Sequence, residues 1–471
     1  MRRALVWFRR DLRARDHHAL HHAARDADSV VGVWCVSPRT WKSHDDAPIK
    51  VDLWLRSARA LSEALAEKHI PLKVLHVEDA SMPARLAALA AELGCDALYF
   101  NKEYEVDERR RDEFVTARFT DDGRAVKAFD DRVLMPPGEV LNGSGEPYTV
   151  FTPFKRKWGA LLTERGFATL SMPRAQSPTG IASDEVPDAL DGFRTQPERS
   201  LWPAGEDHAL KRLARFIDEG VSDYDRAREI PSEDGTSSLS PYLAAGVLSP
   251  RQCVAKAVEA NHGKLLSGAK GPSTWVGELA WRDFYTHVLV AHPRVSMHRA
   301  YKRETEAVAW RDAPGDLKRW EEGETGFPIV DAAMRQLAET GWMHNRLRMV
   351  TATFLAKDLL LDWRHGERHF MRHLVDGDLA NNHGGWQWCA STGTDAQPYF
   401  RVFNPASQAK RYDPEGEFVR RWVPALKDVD AKTLAKLYEG KAKVEGYPAP
   451  MVDHGMASGR AIAAFRALKK G

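Results

Sequence analysis

The first 130 residues alternate short apolar, β-branched runs with longer amphipathic stretches. Residues 4–8, 30–36, 72–77, 97–100 and 125–129 read as buried strands. Between them Val51, Trp54, Ala58, Leu61 and Leu65 recur at helical spacing, and residues 84–93 are rich in strong helix formers. Strand, helix and strand in repetition predict a parallel sheet covered by helices, a Rossmann-like α/β domain. No G-x-G-x-x-G follows a strand and no G-x-x-x-x-G-K-[ST] occurs, so nucleotide binding through the usual Gly-rich turns is not expected. From about Gly166 to Gly205 the chain fills with Pro, Ser, Gly and acidic residues, the composition of a surface linker. Beyond it strand signals vanish, and helical periodicity runs through 209–219, 250–259, 275–290, 329–361 and 366–374. The expected organisation is an α/β domain over 1–130, a linker over 131–205 and an all-helical domain over 206–471.

Charge and composition narrow the function. Lys plus Arg (68) nearly cancels Asp plus Glu (66), leaving a formal charge of +2; this excludes a globally basic nucleic-acid binder but permits a local basic patch. Cys35, Cys95, Cys253 and Cys389 are far apart and none lies in a C-x-x-C. That excludes a disulfide scaffold and a Cys-rich zinc module, and favours a reducing, cytoplasmic setting. The apolar run at 4–8 is too short for a signal-peptide core, and no later stretch approaches the roughly 18 apolar residues of a membrane span. The chain carries 15 tryptophans, most in its C-terminal half; indoles bury large areas and stack on planar ligands, so the excess points to a site as well as a core.

Several constellations in that half carry chemistry. In WVGELAWRDFY, a helix sets Trp275, Glu278, Arg282 and Tyr285 on one face with Trp281 beside them. The plain alternative is a helix boundary with one Glu278–Arg282 ion pair. GWMHNRLRMVTATF puts Asn345, Arg348 and Met349 on one face with Arg346 to the side, a set that offers directional hydrogen bonds beside a soft apolar filler, or else a solvated face. VDGDLANNHGGWQWCASTGTD reads as a loop dense in polar groups (Asp376, Asp378, Asn381, Asn382) next to Trp386 and Trp388, which suits a planar polar heterocycle. Its Asp-x-Asp could instead hold a metal bound to phosphates. GTSSLSPYLAAG offers Thr236, Ser237, Ser238 and Ser240 at a helix start, either a phosphate cradle or simple capping. Lys155, Arg156 and Lys157 beside Trp158, and Arg346, Arg348, Arg401, Lys410 and Arg411, interleave cations with rings as a nucleic-acid groove requires. His17 with His21 and His18 with His22 fall at i,i+4, but no third ligand accompanies them; a solvated helix face is the expected reading, and no metal centre is expected.

Taken together, VWFRRDLRARDHHAL, GTSSLSPYLAAG, WRDFY, TGFPIVDAAMRQLAETGWMHNRLRM and DGDLANNHGGWQWCASTGTDAQPYFRVFNP resemble the DNA photolyase/cryptochrome family over nearly the whole chain. The likeness is nearest to class I cyclobutane pyrimidine dimer photolyases of the folate-antenna type. It implies an N-terminal antenna domain, a linker, and a helical FAD domain. It further implies repair of dimers in DNA by light-driven electron transfer from reduced FAD to a lesion flipped out of the duplex, as enzymes of this family do. By the resemblance, Tyr224, Thr236, Ser237, Ser238, Leu239 and Ser240 would hold the FAD phosphates and ribityl chain. Trp275, Arg282, Asn345, Arg348, Asp376, Gly377, Asp378 and Asn382 would surround the rest, with Asn382 at flavin N5.

The resemblance also implies that Glu278, Trp281, Met349 and Trp388 meet the lesion, that Arg228, Glu278, Trp281, Arg282, Asn345, Arg346, Arg401 and Gln408 contact DNA, and that Trp310, Trp363 and Trp386 carry electrons from the surface to oxidised flavin. In EYEVDERRRD, Asp107 stands where the family has Asn, followed by the expected Glu108, and Ser296-Met297 stand where it has Cys-Lys. Both changes make the antenna site less cationic; 5,10-methenyltetrahydrofolate is the expected antenna, with a deazaflavin or no antenna as the alternatives. Retention of Glu278, Trp281, Met349 and Trp388 argues against a cryptochrome-type light sensor. A (6-4) photolyase would carry His at the positions of Asn345 and Met349. The chain is expected to act as a cytoplasmic monomer.

Overall fold

The computed structural model describes all residues except Met1, Gln196 and 469–471, so those few positions of the expected domains lie outside the described residues. Five parallel strands, β1 (Arg3–Phe8), β2 (Ser29–Val36), β3 (Leu72–His76), β4 (Ala97–Asn101) and β5 (Ala125–Phe129), form one sheet in the order β3-β2-β1-β4-β5. All four pairings are parallel, with Val6 of β1 in register with Gly32 of β2 and with Tyr99 of β4. The central β1 and β2 are buried on both faces, as their unbroken apolar sequences require once helices cover the sheet. β5 differs from the expected buried strand: it is an edge with no buried residue, exposed at Ala125, Lys127 and Ala128 and half-buried at Val126 and Phe129, and Lys127 is what an edge tolerates. The strand order reverses between β1 and β4, which opens a crevice beyond their carboxyl ends.

Two compact units emerge, and they do not follow the expected boundaries. The first runs from the N-terminus to Thr195 and takes in Arg199–Ser222 and Ser237–Pro293; the second holds Asp223–Thr236 and the chain from Arg294 onward. The reason lies in the stretch assigned to a linker. Phe154, Trp158 and Leu162 recur at helical spacing and are buried on the helix Phe151–Arg165. Trp158 donates its Nε1–H to Asp283 at 2.9 Å, and Phe154 packs on Phe284 at 5.1 Å, so the helix Lys270–Ala291 joins the sheet-bearing unit. Burial pushes the Asp283 carboxyl up to about 6 despite its bonds from Trp158, Met135 and Leu134.

In the second unit the single helix expected over 329–361 is three pieces. Pro328–Thr340 ends where Gly341 adopts φ 69° and its N–H closes onto the Leu337 carbonyl at 2.9 Å, the left-handed cap that glycine allows. The chain restarts as Asn345–Thr353, with His344 Nδ1 accepting the Arg346 N–H, and continues into a π-helical turn, Phe354–Asp358. The segment 379–390, expected as loop, is a helix capped by Asp378, which accepts the Asn381 N–H at 3.1 Å. Asp and Asn, poor helix-interior residues, sit at its cap and first turn, where Asp378 accepts an orphan backbone N–H and the Asn381 and Asn382 amides donate to Asp378 and to the Glu367 carbonyl. Around these helices Trp320, Phe354, Trp363, Phe370 and Trp386 form a buried aromatic core.

Candidate active site

The second unit gathers most of the candidate residues. Arg348, on the first turn of Asn345–Thr353, donates from Nη2 to both Asp376 oxygens (3.0 and 2.8 Å) and from Nε to the Met343 carbonyl (2.8 Å). The Asp376 side chain is 3% exposed and that of Arg348 24%. Asp376 and Gly377 are buried in the turn that joins the helix Trp363–His373 to the cap at Asp378. Four residues into the next helix, Asn382 donates from Nδ2 to the Glu367 carbonyl at 2.9 Å. That bond fixes the amide plane and leaves Oδ1 as a neutral acceptor. Met349 and Trp388 are half-buried against the same aromatic core, and Trp388 meets Phe403 edge to face at 6.4 Å.

Of the three candidate relay tryptophans, Trp363 and Trp386 are 1% and 2% exposed, and Trp310 is half-buried against the same core. Gly366 permits the close seat of Trp386 on the neighbouring helix: a Cβ there would run into the indole's six-membered ring and into Leu355 Cδ2 at 2.6 Å. Trp320, fully buried, lies 6.0 Å from Trp386 and was not singled out by the sequence.

The cationic candidates are more entangled than their sequence implies. Arg346 is ion-paired with Glu229 and its guanidinium lies 4.4 Å over Tyr412; Arg228 lies 5.4 Å over Tyr224. Asn345 and Arg401 are exposed, and Gln408 keeps a buried Oε1 without a partner among the described residues. Tyr224 is buried at the start of a short helical turn, and Thr236 is half-buried. Glu229, Glu367 and Tyr412 were missed, because no local motif marks partners that lie outside the helix they act on, as Glu229 does for Arg346 from 117 positions away.

The first unit carries the rest. Ser238 has φ 47°, Leu239 is buried with its N–H on Ser237 Oγ at 3.4 Å, and Ser240 opens the short helix Ser240–Ala244. On Lys270–Ala291, Trp275 is buried against Phe216 at 4.9 Å and Glu278 is half-buried near Lys155, whose amine burial drives down. Arg282 donates to the carbonyls of Arg132 and Leu243. Trp281 is stacked on Phe151 at 3.6 Å and 10°, with Tyr285 at 5.5 Å, so its ring orientation is held by aromatic neighbours.

At the β1/β4 crevice the antenna candidates lie in a dense charge cluster. Arg10 reaches Glu103 (2.5 Å), Glu105 (2.8 Å) and Glu108 (3.8 Å). Burial first, then the charge of Glu105, pushes the Glu108 carboxyl up to about 7. Asp107 is exposed on the first turn of Val106–Asp121, where an acid complements the helix dipole. The histidine pairs do not form a ligand set: His17 is a buried cap whose Nε2 lies 2.9 Å from Asp11, and His22 stacks on Phe129 at 4.6 Å.

These residues fit FAD. Hydroxyls suit its phosphates and ribityl chain, a guanidinium held by a buried carboxylate suits a polar ring edge, and Asn382 Oδ1 offers an uncharged acceptor for a ring N–H. In the second unit, the Arg348–Asp376 pair, the Asn382 amide and the buried tryptophan core are the kind of set a flavin-binding protein presents. The chain belongs to the DNA photolyase family. Residues 4–174 match the DNA photolyase family and 275–467 match the FAD binding domain of DNA photolyase. The chain is 43% identical to the deoxyribodipyrimidine photo-lyase of Escherichia coli over 99% of both chains, and 44% identical to that of Vibrio cholerae over 96% of both. A bacterial class III photolyase from Agrobacterium tumefaciens superposes with a TM-score of 0.86 at 33% identity, covering 100% of this chain and 98% of that one.

Proposed function

We infer that the protein is a light-driven deoxyribodipyrimidine photo-lyase that uses FAD to split cyclobutane pyrimidine dimers in DNA. The observation that carries the reading is Asn382, whose Nδ2 donates to a main-chain carbonyl, which fixes the amide plane and leaves Oδ1 available as a neutral acceptor. An amide oxygen accepts an N–H from a reduced ring without adding negative charge, whereas a carboxylate there would oppose the extra electron. When bound, FAD supplies a light-absorbing electron donor whose electron opens the cyclobutane ring and then returns, so no net redox change occurs.

The chain's own residues bind, orient and shield. Thr236, Ser237, Ser238, Leu239 and Ser240 supply donors for the phosphates, with Tyr224 in the same role. Arg348, neutralised by Asp376, can donate to a ring oxygen without placing net charge beside it, while Trp275, Arg282, Asn345, Gly377 and Asp378 complete the lining. Glu278 hydrogen-bonds the lesion's polar edge, and Met349, Trp281 and Trp388 exclude water around its apolar ring. Arg228, Arg346, Arg401 and Gln408 meet the damaged strand, the first three through phosphates. Trp310, Trp363 and Trp386 relay electrons to oxidised cofactor. Asp107 and Glu108, beside the crevice where α/β sheets bind ligands, serve a 5,10-methenyltetrahydrofolate antenna. No helix among the described residues is long and apolar enough to cross a membrane; we place the enzyme in the cytoplasm as a monomer.

The test is illumination of the purified protein with a thymine-dimer oligonucleotide beside a dark control. Dimer loss only in the light is expected, with a lower yield and intact FAD binding in Glu278→Ala; equal loss in light and dark, or none, overturns the reading.

A further inference from the structure

Beside the tryptophan core, three side chains that the repair reading does not use converge on one point. His298, Glu367 and His383 place one ligating atom each within 4.8 Å of one another. His298 Nδ1 lies 3.2 Å from Glu367 Oε2, and His383 Nδ1 lies 3.8 Å from Glu367 Oε1. Two features separate this cluster from an ordinary hydrogen-bonded trio. His383 is completely buried, yet neither of its ring nitrogens has a hydrogen-bond partner among the described residues, and the buried Glu367 Oε1 has none either. Orphaned buried polar atoms are costly, and such atoms aimed at one another across a gap too long for a hydrogen bond are what a bridging ion resolves. The cluster is also reachable, since the His298 side chain is 52% exposed while the other two are closed off.

We propose that His298, Glu367 and His383 form a binding site for a divalent transition-metal cation of the zinc type. Two imidazole nitrogens and one carboxylate oxygen are a borderline donor set that favours such ions over Mg²⁺ and Ca²⁺, which prefer oxygen ligands throughout. Zinc bonds of about 2.0–2.2 Å in a tetrahedron put neighbouring donors roughly 3.4 Å apart. The observed 3.2 and 3.8 Å run to the two different oxygens of Glu367, and the three donors lie within 4.8 Å of one another, so side-chain rotation must draw them in to reach that spacing. Three protein ligands leave a fourth position for water on the exposed His298 side. His298 has φ 54°, and its carbonyl accepts the Arg364 Nε–H at 2.8 Å, which anchors the one exposed ligand. The ring of His383 lies 4.8 Å from that of Trp363. Bound positive charge would therefore disfavour a hole on that indole and slow the electron relay; this consequence, unlike the site itself, rests on the repair reading.

The experiment is calorimetric titration of the FAD-bound protein with Zn²⁺, run on the wild type and on His298→Ala, Glu367→Gln and His369→Ala. The last removes a largely buried histidine that stacks on His373 at 4.2 Å, lies 3.5 Å from Glu321 and marks a competing site. One ion per chain is expected in the wild type and in His369→Ala, with at least tenfold weaker binding in His298→Ala and in Glu367→Gln. The same ion should raise Tm in the wild type and not in His298→Ala. No stoichiometric binding, binding unchanged in His298→Ala, or binding lost in His369→Ala would overturn the proposal.

Discussion

Truncating either member of the Arg348–Asp376 pair should destabilise the protein, but unequally. Arg348→Ala leaves a carboxylate whose side chain is 3% exposed with no counter-charge, and removing one partner of a buried pair costs about 3–5 kcal/mol. Asp376→Ala leaves a guanidinium that is 24% exposed and keeps its 2.8 Å bond to the Met343 carbonyl, so part of its charge stays solvated. The loss is then nearer ~1.5–3 kcal/mol, the value of a charged hydrogen bond. The double variant removes both charges and should cost less than the sum of the two by at least ~1.5 kcal/mol, because no unpaired charge remains. Urea unfolding of the FAD-free protein, followed by tryptophan fluorescence, measures all three. If Asp376→Ala proves as damaging as Arg348→Ala, or the two effects simply add, the burial argument fails.

Three further outcomes follow from the same geometry. Burial pushes the amine of Lys357, which donates to Ser391 Oγ at 2.9 Å, down to about 7. The folded state thus carries the full cost of a buried charge below pH 7, and that cost fades as pH rises toward the unfolded value of about 10.4. Lys357→Met should gain most in urea midpoint, relative to the wild type, at pH 6 and least at pH 10; a difference independent of pH would refute this. Gly366→Ala should lower stability by about 1–3 kcal/mol through collision with Trp386, despite alanine's better helix propensity, and an unchanged or higher Tm would contradict the close seat. Glu229→Gln should release Arg346, strengthening DNA binding several-fold and steepening its salt dependence by about one phosphate contact; an unaltered salt slope would place Arg346 off the strand.

The sheet was legible because its determinants are local and dense: β1 and β2 are apolar runs buried on both faces, and the expected strands lie within one or two residues of the observed ones. Helix boundaries were less legible where one residue decides them. The break at Gly341 interrupts a continuous apolar period, and the period dominates a reading by pattern. The helix over 379–390 was hidden because Asp378, Asn381 and Asn382 are loop-forming by composition but act here as a cap and first turn. Candidate residues on single helices, such as Arg348 and Met349, were visible in their spacing. The partners that orient them were not: Glu367 meets Asn382 through a main-chain oxygen, to which no side-chain motif points, and Phe151 reaches Trp281 from a stretch composed like a linker.

The main-chain tether on Asn382 has an evolutionary consequence. The carbonyl that orients this amide belongs to the backbone at position 367 and persists whatever side chain drifts in there, provided the helix survives. On the proposed reading, in which its amide faces the flavin, position 382 has no such latitude. A lineage could therefore tinker with the side chain at residue 367 while the orientation of the Asn382 amide is inherited intact.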